Sequence, residues 1–289
     1  MDRSQKELNS NIMNKRPVIF GIHANPVGWR KWLLAIIPFA LAIIVYTVAS
    51  DIRHRENPSD KLLPTFGQMA DAVDRMAFTP DKRSGDHLML KDTLSSLKRL
   101  LTGVLLAATV GLLLGLNMGL YPGMDALMRS FVTFISMVPP LAILPILFIS
   151  FGVDEAAKIM LIFLGVFPVI TRDIFLAVEK IPREQITKAL TLGASQLTLT
   201  YRIVLPQVLP RLIDTLRLAL GAAWLFLIAS EAISATDGLG YRIFLVRRYL
   251  AMDVILPYVL WITMLGYTMD WGLRMLVQWR FKWYLEGGQ

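Results

Sequence analysis

Six stretches of this chain are long and almost uninterruptedly apolar, and their length is what most narrows the fold. A helix needs about 20 apolar residues to cross the hydrocarbon core of a bilayer. Residues 32–50, 97–120, 124–151, 156–175, 212–233 and 254–277 each meet that requirement. The expected fold is therefore all-α: a polytopic membrane protein with six transmembrane helices. Composition agrees, since 55% of the 289 residues are hydrophobic and 18% charged. A soluble domain of this length rarely looks like that. There is no cysteine, which excludes disulfides, a thiolate nucleophile and a Cys-ligated metal. The formal charge of +8 is read as the basic ends of a membrane protein, with no nucleic acid as partner.

The first run, residues 32–50, contains Thr47-Val48-Ala49, small enough for signal-peptide cleavage. Its leader, residues 1–31, and its own length favour a retained helix instead. In the second run, Gly111-x-x-x-Gly115-x-x-x-Gly119 sets three glycines on one helix face, which permits close helix packing. Pro139-Pro140 interrupts the third run and removes two backbone donors, so a kink or unwound turn is expected. Unwound backbone at membrane depth is packed in protein or lines a cavity. Met137, Pro139 and Pro140 are therefore candidates for lining a pathway; a plain structural kink accounts for them equally.

Charge sets the expected orientation. The N-terminal tail, residues 1–31, and the hinge between the fourth and fifth runs are net basic, whereas residues 51–91 carry seven basic and seven acidic side chains. The tails 1–31 and 278–289 are then cytosolic, and residues 51–96 form an outer loop. Within that loop an amphipathic helix is expected from Thr65 to Phe78, with Thr65 as its cap and Phe66, Met69, Val73 and Met76 on one side. Residues 97–277 form a core of five spans with an inserted loop, 178–211.

That loop carries the most specific local signals. Pro182 suits a first helical turn and Glu184 favours a helix N-terminus. Ile186, Ala189 and Leu190 recur at helical spacing, Gly193 can end the helix in a left-handed conformation, and Ser195 can cap a second helix that stops before Pro206. A helix–turn–helix between two spans invites a docking partner; a loop helix resting on the bilayer is the plainer reading.

An ionisable side chain at mid-membrane costs about 2.5–3.5 kcal/mol, so each one needs a reason. Asp125 with Arg129, Asp214 with Arg217 and Asp270 with Arg274 stand three or four residues apart and read as local pairs. Glu231 has no such neighbour. Three roles are open to it: lining a pathway, capping the loop helix near Asp237-Gly238, or sitting in interfacial water. No phosphate loop G-x-x-x-x-G-K-[ST] occurs, and no H-E-x-x-H or paired-carboxylate motif marks a catalytic site. No catalytic, metal or cofactor-binding residue is therefore expected. A secondary transporter or channel would also be polytopic, but should show paired broken helices in both halves, and Pro139-Pro140 has no counterpart.

Several motifs together carry a resemblance. Ala189, Gly193 and Ile203-Val204-Leu205-Pro206 keep the spacing of the Glu-Ala-Ala loop of ABC importer permeases, with Thr187 and Lys188 replacing Glu and Ala. Pro139 to Pro145, Gly193-Ala194-Ser195, Leu216 to Gly221 and Gly238-Leu239-Gly240-Tyr241 match in the same order. After residue 60 the chain resembles permeases of the nitrate, sulfonate and taurine class. KLLPTFGQMADAVDRMAF and EAISATDGLGYRIFLVRRYLAMDVILPY are similar to the branch encoded beside urea-carboxylase-type enzymes. The resemblance implies the type I importer architecture in a bacterial inner membrane, with two permease copies, two ATPase subunits and an extracytoplasmic solute-binding protein. ATP and Mg would be bound by the ATPase, not by this chain, and membrane lipid surrounds it. Docking would fall to a coupling helix around residues 187–200, with Thr187, Lys188, Ala189, Leu192, Gly193, Ala194, Leu205 and Pro206. The branch implies a guanidinium- or urea-like solute; nitrate, sulfonate or taurine-like anions are the alternative.

Overall fold

The computed structural model describes residues 28–58, 60–82 and 85–286. The expected basic tail up to residue 27 and the terminal Gly287–Gln289 lie outside the described residues. The chain divides into two compact units, residues 1–65 and 66–289. In the first, α1 (Trp29–Glu56) is one long helix with Pro38 inside it. The segment after it folds back on its last turns. Tyr46 donates to the Pro64 carbonyl at 2.6 Å, Ser50 to the Leu63 carbonyl at 2.9 Å, and Arg53 pairs with Asp60 at 2.8 Å. The Arg53 hydrogen bond holds the Asp60 carboxyl below its ordinary range.

The second unit begins with α2 (Phe66–Val73), which ends in a π-helical turn, Asp74–Phe78. Its Met69 and Ala72 are buried and Met76 packs on the core, while Phe66 stays more than half exposed. The long helices follow: α3 (Leu88–Leu120), α6 (Glu155–Glu179), α8 (Leu205–Ser234) and α10 (Met252–Arg280). Between α3 and α6 lie α4 (Pro122–Met137) and α5 (Leu144–Phe151); α7 (Arg183–Thr191), α9 (Leu239–Arg247) and α11 (Lys282–Glu286) are short. Among the described residues there is no strand. Among the described residues five helices are long and apolar enough to cross a membrane, and the α4–α5 pair makes a sixth span if it crosses as one.

The core is the seam between α3 and α6. Gly103, Ala107, Gly111, Gly115 and Gly119 recur every four residues along α3, so they form one ridge with almost no side chain. A Cβ added at Gly115 would stand 2.5 Å from the Thr171 carbonyl, and one at Gly119 2.6 Å from Val178. Ile162, Ile170 and Ile174 of α6 fill the groove and are fully buried. The glycines expected to permit close packing do so here. On the opposite side of α6, Gly165 makes room for the Phe226 ring of α8.

The third apolar run is not one kinked helix. α4 ends at Met137, Val138 and Pro139 are extended, and a 3-10 turn at Pro140–Ile143 leads into α5. The two pieces meet at 85°. Each proline disfavours helical backbone at its predecessor and removes a donor, so two in succession break the helix. Single prolines at 168, 210 and 257 leave their helices continuous.

Candidate functional site

The loop between α6 and α8 is built from short-range signals. α7 starts one residue after Pro182 and ends in a two-bond cap: Ala194 N–H donates to the Ala189 carbonyl and Gly193 N–H to the Leu190 carbonyl, both at 3.0 Å. This closure needs a left-handed residue, and Gly193 supplies φ +85°. Ser195 then accepts from the Thr198 N–H at 3.2 Å and opens the next helical stretch at Gln196. That stretch does not stop before Pro206, as the proline suggested. It continues through a π-helical segment, Leu199–Val204, into α8, giving one helical span over Gln196–Ser234. The wider π turn already displaces the regular bonding where the proline lacks its donor.

One side of the loop faces the bundle. Ala189, Leu199 and Val204 are buried, and Ile186, Ala194 and Leu205 pack against the core. Tyr121, at the end of α3, hydrogen-bonds Thr200 at 2.8 Å. Arg211 holds Asp173 through two bonds of 2.6 Å, and Thr215 donates to the same carboxylate, so α6 and α8 are tied at the root of the loop. The other side faces outward: Thr187, Lys188, Gly193 and Pro206 are exposed, and Leu192 is 87% exposed.

A second polar assembly occupies the far end of α8. Glu231, which has no partner near it in sequence, is fully buried among distant ones. Its carboxylate accepts from Arg99 Nη1 at 2.7 Å, from Ser96 at 2.8 Å and from the Gly240 N–H at 2.9 Å. Of the three roles open to it, the structure selects capping of the helix that follows Asp237-Gly238. Nothing of the carboxylate faces an open surface of this chain. Arg99 also holds Glu155 through bonds of 2.6 and 2.7 Å, and Asp237 through its carboxylate and its carbonyl. Beside it, Asp92 accepts from the Gly238 N–H, Arg242 and Tyr258. Ser96 accepts from the Leu239 N–H at 2.8 Å. Three successive N–H groups at the start of α9 are thus held by three buried side chains of α3 and α8. Gly238, at φ +117°, permits that approach, because a Cβ there would meet Glu231 at 2.5 Å.

Reasoning from local pairs missed Arg99 and Asp92. The available signal was Asp92, Ser96 and Arg99 at i, i+4 and i+7, a polar stripe on one face of an apolar helix. The expected local pairs do form: Arg129–Asp125 at 2.6 Å, Arg217–Asp214 at 2.9 Å and Arg274–Asp270 at 3.0 Å. Arg217 additionally bridges to Asp270 at 2.9 Å, which joins α8 to α10. At the α4–α5 break, Met137 is 74% exposed, Pro139 is exposed and Pro140 half-buried. Among the described residues no group of three or more His, Cys, Asp or Glu side chains is placed to hold a metal ion.

Comparison with known proteins gives a consistent result. The family described as binding-protein-dependent transport system inner membrane component matches residues 103–282. The taurine transport system permease protein TauC of Escherichia coli (strain K12) is 32% identical over 201 residues, covering 70% of this chain and 73% of that one. The aliphatic sulfonates transport permease protein SsuC of the same strain is 31% identical over 266 residues, covering 90% and 95%. An inward-facing structure of the MetNI methionine ABC transporter shares the fold, with TM-score 0.59 at 19% identity over 66% of this chain and 95% of that one.

Proposed function

The chain belongs to the binding-protein-dependent transport system inner membrane components, the permeases of ABC importers, and on that premise we propose that it imports a small sulfonate or comparable anion. The observation that carries the coupling part of this reading is the loop at residues 183–206. It is rigidly capped, rooted on α6 and α8 by Arg211 and Asp173, and presents Leu192 outward. Such a loop transmits force as one body. An ATPase subunit docked on Thr187, Lys188, Leu192, Gly193 and Pro206 moves α6 and α8 together when it closes on ATP and Mg. The pathway then switches between two packed states by rigid-body rotation.

The remaining parts of the complex follow from the same premise. A second, identical copy packs across the exposed α4–α5 break, where Met137, Pro139 and Pro140 line the route. A solute-binding protein delivers the solute at the end bearing the Arg99 cluster, and both chain termini are cytosolic. The guanidinium- or urea-like solute expected from the sequence loses its physical support. That reading came from the resemblance to the urea-carboxylase branch, and Glu231, a carboxylate that would have suited a cation, is buried against Arg99. The relatives named for taurine and aliphatic sulfonates favour the anionic alternative.

The test is reconstitution. The tagged chain, purified in mild detergent with its ATPase and placed in liposomes, should take up taurine or an alkanesulfonate only with ATP and the binding protein present. Uptake by the chain alone without ATP would point to a channel or secondary transporter. Uptake of guanidinium in preference to sulfonates would restore the cationic reading.

A further inference from the structure

The outward face of the loop carries an apolar knob with unbalanced positive charge around it. Leu190, Leu192, Leu197 and Tyr201 are 47, 87, 69 and 44% exposed. Over residues 183–202 the charged side chains are Arg183, Lys188 and Arg202 against Glu184 alone. All four are exposed, and none makes an ion pair among the described residues. Elsewhere Asp125–Arg129, Asp173–Arg211 and Asp214–Arg217–Asp270–Arg274 are paired within the chain, whereas Arg172, Glu179 and Lys180 beside the loop are exposed and make no ion pair among the described residues either. Even Glu184 and Lys188, four apart on one helix, stay separate. Lys188 and Leu192 are also four apart, and the Leu192 N–H bonds the Lys188 carbonyl at 3.0 Å. The charge and the knob are therefore held in fixed relation on one side of α7.

An exposed apolar patch rimmed by polar residues marks a protein or membrane contact, and charges at the rim of a protein contact face charges of opposite sign on the partner. We propose that the ATPase surface receiving this loop is an apolar cleft edged by carboxylates, with an acidic residue facing Lys188 and Leu192 seated in the cleft. This rests on the coupling reading above and adds the chemistry of the partner's face.

A carbodiimide, which joins an amine to a carboxylate in direct contact, tests it on the complex purified with its own ATPase. Mass spectrometry should find Lys188 linked to an Asp or Glu of the ATPase, and the link should vanish in Lys188→Arg, which offers no amine. Lys188→Glu should weaken ATPase binding about fivefold and flatten its salt dependence. Changing the linked carboxylate to Lys should restore it. If Lys188 forms no link and Lys188→Glu binds as the parent does, while Leu192→Asp releases the ATPase, the acidic edge is wrong and docking stands. If Leu192→Asp also binds as the parent does, the loop is not the docking site at all.

Discussion

Arg99 uses all five of its guanidinium N–H groups inside the bundle, on Glu155, Glu231 and Asp237. A buried cation is tolerated only in such company. Removing the Glu231 carboxylate strands one Arg99 N–H, the Ser96 hydroxyl and the Gly240 N–H inside the protein, and each buried group left unsatisfied costs about 1–3 kcal/mol. Glu231→Ala should therefore lower the melting temperature of the purified protein sharply, and Glu231→Gln, which keeps the shape, less so. Coupling between the two residues is measurable by a double-mutant cycle. Arg99→Met combined with Glu231→Leu should cost clearly less than the sum of the single changes. Simple additivity would show that the two side chains do not act as a pair.

At the scale of elements, the α3–α6 seam and the capped loop make separate predictions. Gly115→Ala puts a methyl group 2.5 Å from the Thr171 carbonyl, so the helices must separate, at about 1–3 kcal/mol for overpacking. Gly272→Ala, in open space on α10, is the control, and thermal unfolding of both variants should show the first alone destabilised. Gly193 also has open space around it but sits at φ +85°. A branched residue there costs about 1–2 kcal/mol in backbone conformation alone, and the loop escapes by opening its cap. Gly193→Val should leave a complex that assembles yet has lost most of its transport-coupled ATPase activity. A variant with normal coupling would show that the cap's rigidity is unimportant. The helix break follows its own chemistry: Pro139→Ala restores one donor and should reduce the 85° bend, readable as a changed distance between spin labels on α4 and α5.

For the whole molecule, the two polar assemblies sit at opposite ends of α8, the capped loop at its start and the Arg99 cluster at its finish. The second clamps α9 onto α3 and α8 through Gly238, Leu239 and Gly240. Whatever moves α8 at the loop therefore carries α9 with it. Loosening the clamp should separate ATP hydrolysis from transport. Ser96→Ala removes one of the three holds together with the bond Ser96 donates to Glu231, and should lower uptake per ATP hydrolysed at least about two- to tenfold, the range that about 0.5–1.5 kcal/mol from a single hydrogen bond gives. Uptake and hydrolysis measured on the same liposomes check this, and an unchanged ratio would make the clamp merely structural.

Much of this architecture was legible along the chain because its causes are local. The spans follow from run length, the close seam from glycines at every fourth residue, the break from two adjacent prolines, and the loop from Pro182, Gly193 and Ser195 in their order. Each depends on residues within one or two helical turns, where geometry is set by the backbone. The Arg99–Glu231 pair, 132 residues apart, and the Asp173–Arg211 tie, 38 apart, could not be read that way. Periodicity says which face of a helix is polar but not which distant helix that face meets. That choice is made when the helices pack, because only then does a buried charge find the partner that makes its burial affordable. The sequence by itself determined the helices and the turn between them; the tertiary structure decided that Glu231 is a capping residue inside the protein and not an open acid.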